Sequence, residues 1–173
     1  GNSLMEKAQY HDAIDAYDAA IKMNPEHRNA YQNRGIAWIK RRNFYKALAD
    51  FSVAIDLGKE DPVLYYNLGN IYVRTDRFQQ AIKAYKRSLE LKPDQPEVLN
   101  NLGNSFASIK RHQEAISTFE KLAELWPDRA EPFNNIGAVY ESMKDLNKAE
   151  KFYRRAISVD ASHPASYYNL GAM

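Results

Sequence analysis

The chain has 173 residues, 45% hydrophobic and 27% charged, with a net charge of +2, a balance that fits a soluble globular protein and argues against bulk binding of nucleic acid. It has no cysteine, which excludes a disulfide framework, thiol catalysis and a thiolate metal site. No apolar run approaches the roughly 18 residues that a spanning helix requires, so no membrane insertion is expected.

Gly1-Asn2 stands in the same register as Gly69-Asn70 and Gly103-Asn104, so Gly1 to Lys7 is expected to be the second half of a helix. Residues 1–27 then read as a truncated first unit, followed by complete units at 28–61, 62–95, 96–129 and 130–163, with 164–173 as a partial last helix. The register rests on Gly1, Gly35, Gly69, Gly103, Gly137 and Gly171, spaced by 34 residues without slippage. Ala13, Ala47, Ala81, Ala115 and Ala149 keep that spacing, and so do the aromatics Tyr17, Phe51, Tyr85, Phe119 and Tyr153. Pro25, Pro93 and Pro127 mark the ends of three units. A fixed period of this length is the signature of stacked helical repeats. Within each unit, numbered from its first residue, the apolar pattern predicts one helix over places 1–14 and another over 18–31, for instance Pro62–Thr75 and Gln79–Lys92. Asp61 is the expected N-cap of the first of these. The small residues at places 8 and 20 let two helices approach closely, and large residues at places 4, 11 and 24 fill the surrounding space.

The chain resembles the tetratricopeptide repeat family over essentially its whole length. Counted from Arg28, Pro62, Pro96, Ala130 and Pro164, the pattern's large residue at place 4 is Tyr31, Tyr65, Leu99, Phe133 and Tyr167. Its Leu-Gly pair appears as Leu68-Gly69, Leu102-Gly103, Ile136-Gly137 and Leu170-Gly171. Arg34 departs at place 7, which implies a contact there other than ordinary apolar packing, and Lys59 and Ala161 stand where a terminal proline is usual. The resemblance implies an all-α, right-handed α-solenoid of antiparallel helix pairs.

Evidence for catalysis is missing. His11, His27, His112 and His163 fall at unrelated places, with no HExxH-like arrangement, and each glycine within the units is single, so neither a phosphate loop nor a GxSxG elbow occurs. No enzyme activity, cofactor or metal is expected from these residues. The basic runs, such as Lys40-Arg41-Arg42 and Lys110-Arg111, lie near helix ends where cations also favour the dipole, so no nucleic-acid partner is expected.

One constellation stands out. Place 6 of every unit is asparagine, namely Asn33, Asn67, Asn101, Asn135 and Asn169, and Asn70 and Asn104 follow at place 9. Asparagine is a mediocre helix former, so its repetition inside helices needs a cause. Places 2, 5, 6, 9, 12 and 13 share one side of the first helix, and in the family this side lines the concave groove. A carboxamide offers a donor and an acceptor, as a peptide backbone does at each residue. The ladder therefore suits an extended segment of a partner protein, about three ligand residues per unit for helices roughly 8–10 Å apart and a rise of ~3.3 Å per residue. The competing reading is that these asparagines join neighbouring helices. Tyr66 would add flat apolar contact. Lys40 and Arg74 at place 13, set against Glu97, Glu131 and Glu141 towards the C-terminal end, predict a ligand whose acidic end lies over the two cations. The family's clamp for a terminal carboxylate is not matched: Gln32 and Ile36, Asn67, then Glu97 and Asn101 stand at its places, without the lysines and arginine.

The expected function is a protein–protein interaction scaffold in a cytoplasmic protein. The first alternative is the substrate-recruiting segment of a larger enzyme, because the ladder is similar to that of the intracellular O-linked N-acetylglucosamine transferase. The second is an assembly protein that self-associates head to tail through open repeat ends or makes contact through the outer helix faces.

Overall fold

The 34-residue period becomes a period of helix pairs. The structure, a computed structural model, describes residues 1–6, 9–58 and 60–173. The expected extension of the first helix to Lys7, and Lys59 itself, lie outside them. The short α1 (Asn2–Glu6) pairs with α2 (Tyr10–Met23). Four pairs follow: α3 (Arg28–Lys40) with α4 (Phe44–Asp56), α5 (Pro62–Arg74) with α6 (Phe78–Leu91), α7 (Pro96–Ser108) with α8 (His112–Leu125), and α9 (Glu131–Ser142) with α10 (Leu146–Val159). Helix α11 (Pro164–Ala172) packs on α9 and α10. The chain is an all-α solenoid of helix pairs.

Local chemistry sets the helix limits. Proline occupies the first turn of α5, α7, α9 and α11, where its missing N–H costs nothing. The Asp61 carboxylate accepts from the Val63 N–H at 2.9 Å, as an N-cap should. Asn43 and Asp145 cap α4 and α10 through the N–H groups of Lys46 and Lys148. The first helix of each complete unit stops one residue earlier than the periodicity predicts, and for one reason. Arg42, Asp76, Lys110 and Lys144 adopt left-handed backbone, with φ of 59°, 56°, 59° and 62°. The N–H of each following residue then reaches back five positions, as in Arg77 to the Tyr72 carbonyl at 2.8 Å and Arg111 to the Phe106 carbonyl at 2.9 Å. This is a Schellman turn, repeated at each complete unit with a residue other than glycine at its left-handed position.

Inside each pair the aromatic ring of the second helix lies on the glycine of the first. A methyl group on Gly103 would come within 2.5 Å of the Phe119 ring, and one on Gly137 within 2.6 Å of the Tyr153 ring. Ala13, Ala47, Ala81, Ala115 and Ala149 are fully buried beside them. Between units, the first helices α3, α5, α7, α9 and α11 each touch the next in that series, whereas successive second helices share no backbone approach of that extent among the described residues. The first helices therefore form the inner row of the curve.

Arg34 replaces the usual leucine with an ion-pair cluster. Its guanidinium meets the Asp50 carboxylate through two N–H groups, at 2.9 and 2.6 Å, and a third N–H reaches Asp18 on α2. Asp50 is only 5% exposed. The hydrogen bonds to Asp50 and Asp18 hold the guanidinium firmly in its charged form. In the next unit the same two places hold Leu68 and Ala84, both in the apolar core.

Three measurements of stability follow from this packing. Ala81→Leu has no space to enter and should cost about 1–3 kcal/mol, read from the urea midpoint. Lys110→Gly removes about 1 kcal/mol of left-handed strain, partly offset by greater freedom in the unfolded chain, so a net gain of ~0.5 kcal/mol is expected in the same assay. Arg34→Leu strands the buried Asp50 carboxylate and should cost about 3 kcal/mol, while Arg34→Leu with Asp50→Ala recovers most of that loss. A double variant no more stable than the single one would show that Asp50 is not the cause.

Candidate functional site

The inner row carries the asparagines, and the structure shows what four of them hold. Asn33 donates through Nδ2 to the Asn2 Oδ1 at 3.0 Å, and Asn101 donates to the Asn70 Oδ1 at 3.0 Å. Asn135 donates to Asn100 at 2.8 Å, and Asn169 donates to Asn134 at 3.1 Å. Each bond joins a first helix to the first helix of the preceding unit. The donor half of these carboxamides thus serves helix-to-helix contact. Their Oδ1 atoms accept no hydrogen bond from the described residues and stay on the half-exposed side.

The acceptors at place 9 are themselves held from below. The Tyr85 hydroxyl donates to the Asn70 Oδ1 at 2.7 Å, and the Tyr17 hydroxyl donates to Asn2 at the same distance. Burial pushes the Tyr85 hydroxyl well above its ordinary pKa, so it remains a donor at neutral pH. Tyr153 lacks an asparagine opposite, since Ala138 occupies that place, and its hydroxyl turns to Glu141 instead.

Two carboxamides fall outside this scheme. Asn67 faces Ile36 where an acceptor would be needed, and Asn104 stands over Phe119, which has no hydroxyl. Neither side chain has a hydrogen-bond partner among the described residues, and both line one cavity of about 610 Å³ on the inner row. Lys40, Arg74, Tyr66, Asn70 and Asn101 line it as well. The structure therefore brings seven of the ten candidate residues to one place. Asn33 borders a separate cavity of about 730 Å³ near Asn2 and Arg28, while Asn135 and Asn169 lie further along the row. Tyr66 leans on Tyr85 with ring centres 6.3 Å apart, which fixes it as a wall of the cavity.

The charges around this cavity are of one sign. Lys40 and Arg74 are exposed, each the last residue of its helix, and neither forms an ion pair with a described residue. No acidic side chain is among the residues lining the cavity. The acids further along are engaged: Glu97 and Glu131 lie 3.9 and 3.4 Å from Arg129, and Glu141 accepts from Tyr153. Arg34, near these cations in sequence, is committed to Asp50 and Asp18 and adds no free charge.

The apolar part of the cavity was not anticipated as a site. Ile36 and Ile39 from α3, Val73 from α5 and Phe78 from α6 line it, half-buried. Places 9 and 12 face the groove, so the apolar residues Ile36, Ile39 and Val73 there were a readable signal in the sequence. Among the described residues no cluster of three metal-binding side chains occurs, and no helix is long and apolar enough to cross a membrane.

Comparison with known proteins places this architecture. Sequence models described as tetratricopeptide repeat match residues 1–62, 66–130 and 130–163. No curated protein sequence matches the chain. Among solved structures, YrrB, a TPR protein with an unusual peptide-binding site, is 25% identical with a TM-score of 0.87, over 96% of this chain and 86% of YrrB. MamA is 24% identical with a TM-score of 0.87, over 93% of this chain and 88% of its own. A tetratricopeptide repeat protein from Parabacteroides merdae ATCC 43184 is 16% identical with a TM-score of 0.89, over 99% of this chain and 68% of its own. The last two likenesses concern the fold alone. With the repeat models matching nearly its whole length, the chain belongs to the tetratricopeptide repeat family.

Proposed function

We propose that the chain is a protein-interaction module that holds an extended segment of a partner protein along the inner row of helices. The observation that carries this reading is the convergence of free hydrogen-bonding groups on one face. The Oδ1 atoms of Asn33, Asn101, Asn135 and Asn169 are left as acceptors, and Asn67 and Asn104 are left with both functions. A peptide in extended form presents N–H groups to the first set and both N–H and C=O groups to the second. The likeness to YrrB, with its peptide-binding site, supports the same reading.

The competing role of the asparagines decides which variants are informative. Alanine at Asn101 or Asn135 would also break a helix-to-helix bond, so loss of binding there would be ambiguous. Asn67→Ala with Asn104→Ala removes only unengaged groups. The protein is used to capture partners from lysate, each partner is cut to a linear segment, and that segment is synthesised and titrated. The double variant should fold as the wild type does by circular dichroism and bind the synthetic peptide about thirtyfold more weakly, since two hydrogen bonds at ~1 kcal/mol each are lost. Partners that no linear peptide can compete away would overturn the reading, and so would a peptide bound equally by the double variant.

A further inference from the structure

The cavity between α3, α5 and α7 differs from the rest of the inner row, and its chemistry selects a particular ligand. Elsewhere along the row successive asparagines are bonded to one another. Here Asn101 is bonded to Asn70, but Asn67 on one side and Asn104 on the other are left out of the bonding. Ile36 offers Asn67 no acceptor, and Phe119 offers Asn104 no hydroxyl. Two unengaged carboxamides therefore face one open space of about 610 Å³ on the inner row.

Two further features coincide there. Ile36, Ile39, Val73 and Phe78, from α3, α5 and α6, give the space an apolar lining. Lys40 and Arg74, in equivalent positions on neighbouring helices, stand at the same opening. Cations at helix ends commonly serve the last carbonyls of their own helix. Those carbonyls are already met: Arg41, Arg42 and Asn43 donate to Ala37, Ile39 and Trp38, and Thr75, Asp76 and Arg77 donate to Ile71, Val73 and Tyr72. The lysine and arginine charges are left to face outward, with no carboxylate among the residues around the cavity.

Resting on the reading of the inner row as a peptide-binding surface, we infer that this cavity recognises an internal acidic side chain next to a large apolar one. The carboxylate lies between Lys40 and Arg74. The apolar side chain enters between Ile36, Ile39, Val73 and Phe78. The ligand's backbone at that point is held by Asn67 and Asn104. Binding is then concentrated in a short motif rather than spread evenly over five asparagines. No terminal carboxylate is needed, in keeping with the absence of the clamp residues.

The probe is a displayed library of random octapeptides, acetylated and amidated so that the only carboxylates are side chains. Selection on the wild-type protein should enrich aspartate or glutamate adjacent to leucine, isoleucine, phenylalanine or tryptophan. The best peptide is then synthesised and titrated by fluorescence anisotropy. The variant Lys40→Glu with Arg74→Glu, both at exposed positions, should bind it at least tenfold more weakly. Exchanging the acid of the peptide for lysine should restore binding to that variant and abolish binding to the wild type. A peptide carrying phosphoserine in place of the acid should likewise lose affinity for the charge-reversed variant, and phosphoserine binding that this variant does not weaken would overturn the placement of the anion between Lys40 and Arg74. Enriched peptides without an acidic–apolar pair, bound equally by the charge-reversed variant, would overturn the inference and leave the peptide-binding groove standing. A selection that enriches no peptide on either protein would overturn both.

Discussion

An aromatic ring seated on a glycine is the contact from which the rest of this solenoid is built. The absence of a Cβ at Gly69 lets the Tyr85 ring lie against the backbone of α5, and Tyr85 is fully buried there. The ring sets how close the two helices of a pair come. Its hydroxyl then emerges beside Asn70, and the same Asn70 oxygen accepts from Asn101 on the next unit's first helix. Packing within one pair is in this way transmitted as a hydrogen bond to the following pair. Gly1, Tyr17, Asn2 and Asn33 repeat the arrangement at the start of the chain.

The arrangement also explains why the asparagines take two forms of bond. Where the preceding unit has an asparagine at place 9 held by a tyrosine, the place 6 asparagine bonds to it, 31 residues back. Where that support is missing, as beside Phe119 or where Ala138 replaces the asparagine, the partner becomes the residue at place 5, 35 residues back. Asn134 is buried to 8% exposure in taking that role and also accepts from Ser166. A buried carboxamide must be satisfied in this way or its desolvation goes uncompensated. Asn67 alone meets neither arrangement. Isoleucine stands at place 9 of the unit before it, and Gln32 at place 5 is engaged with Arg28 and Asp61.

Much of the fold was legible in the residues because repetition multiplies a weak signal. One glycine in a helix says little, whereas six in register with alanines and aromatics define the pairs and their contacts. Helix starts at proline and the cap at Asp61 were equally readable, since capping is a local matter. The ends were less so: the left-handed residues at the turns are arginine, aspartate and lysine, of which only aspartate has any preference for that conformation. The partners of the asparagines were not legible either. Whether a carboxamide meets place 5 or place 9 of its neighbour depends on the rotation between units and on a hydroxyl coming from the second helix. That is a three-body relation that no spacing in one helix displays. Arg34 was readable as a departure, but its partner Asp50 could be identified only once α3 and α4 were in contact.

The departures from the pattern fall unevenly. Residues that follow the repeat supply the packing common to all pairs, and they give no unit a character of its own. Helix α3 breaks the pattern twice, at Arg34 and Ile36, and ends in a cation at Lys40. The first sends a charge outward to α2 and α4, tying second helices together with a buried pair that an apolar contact could replace. The second removes an acceptor from the inner row and so releases Asn67. Lys40 stands at the opening of the same cavity, beside Arg74. Ile36 and Lys40 both face the groove and contribute there to a space with apolar walls, positive charge and unengaged amides. In a repeat protein the shared residues fix the shape of the groove, and the exceptions determine what chemistry it offers at each point along its length.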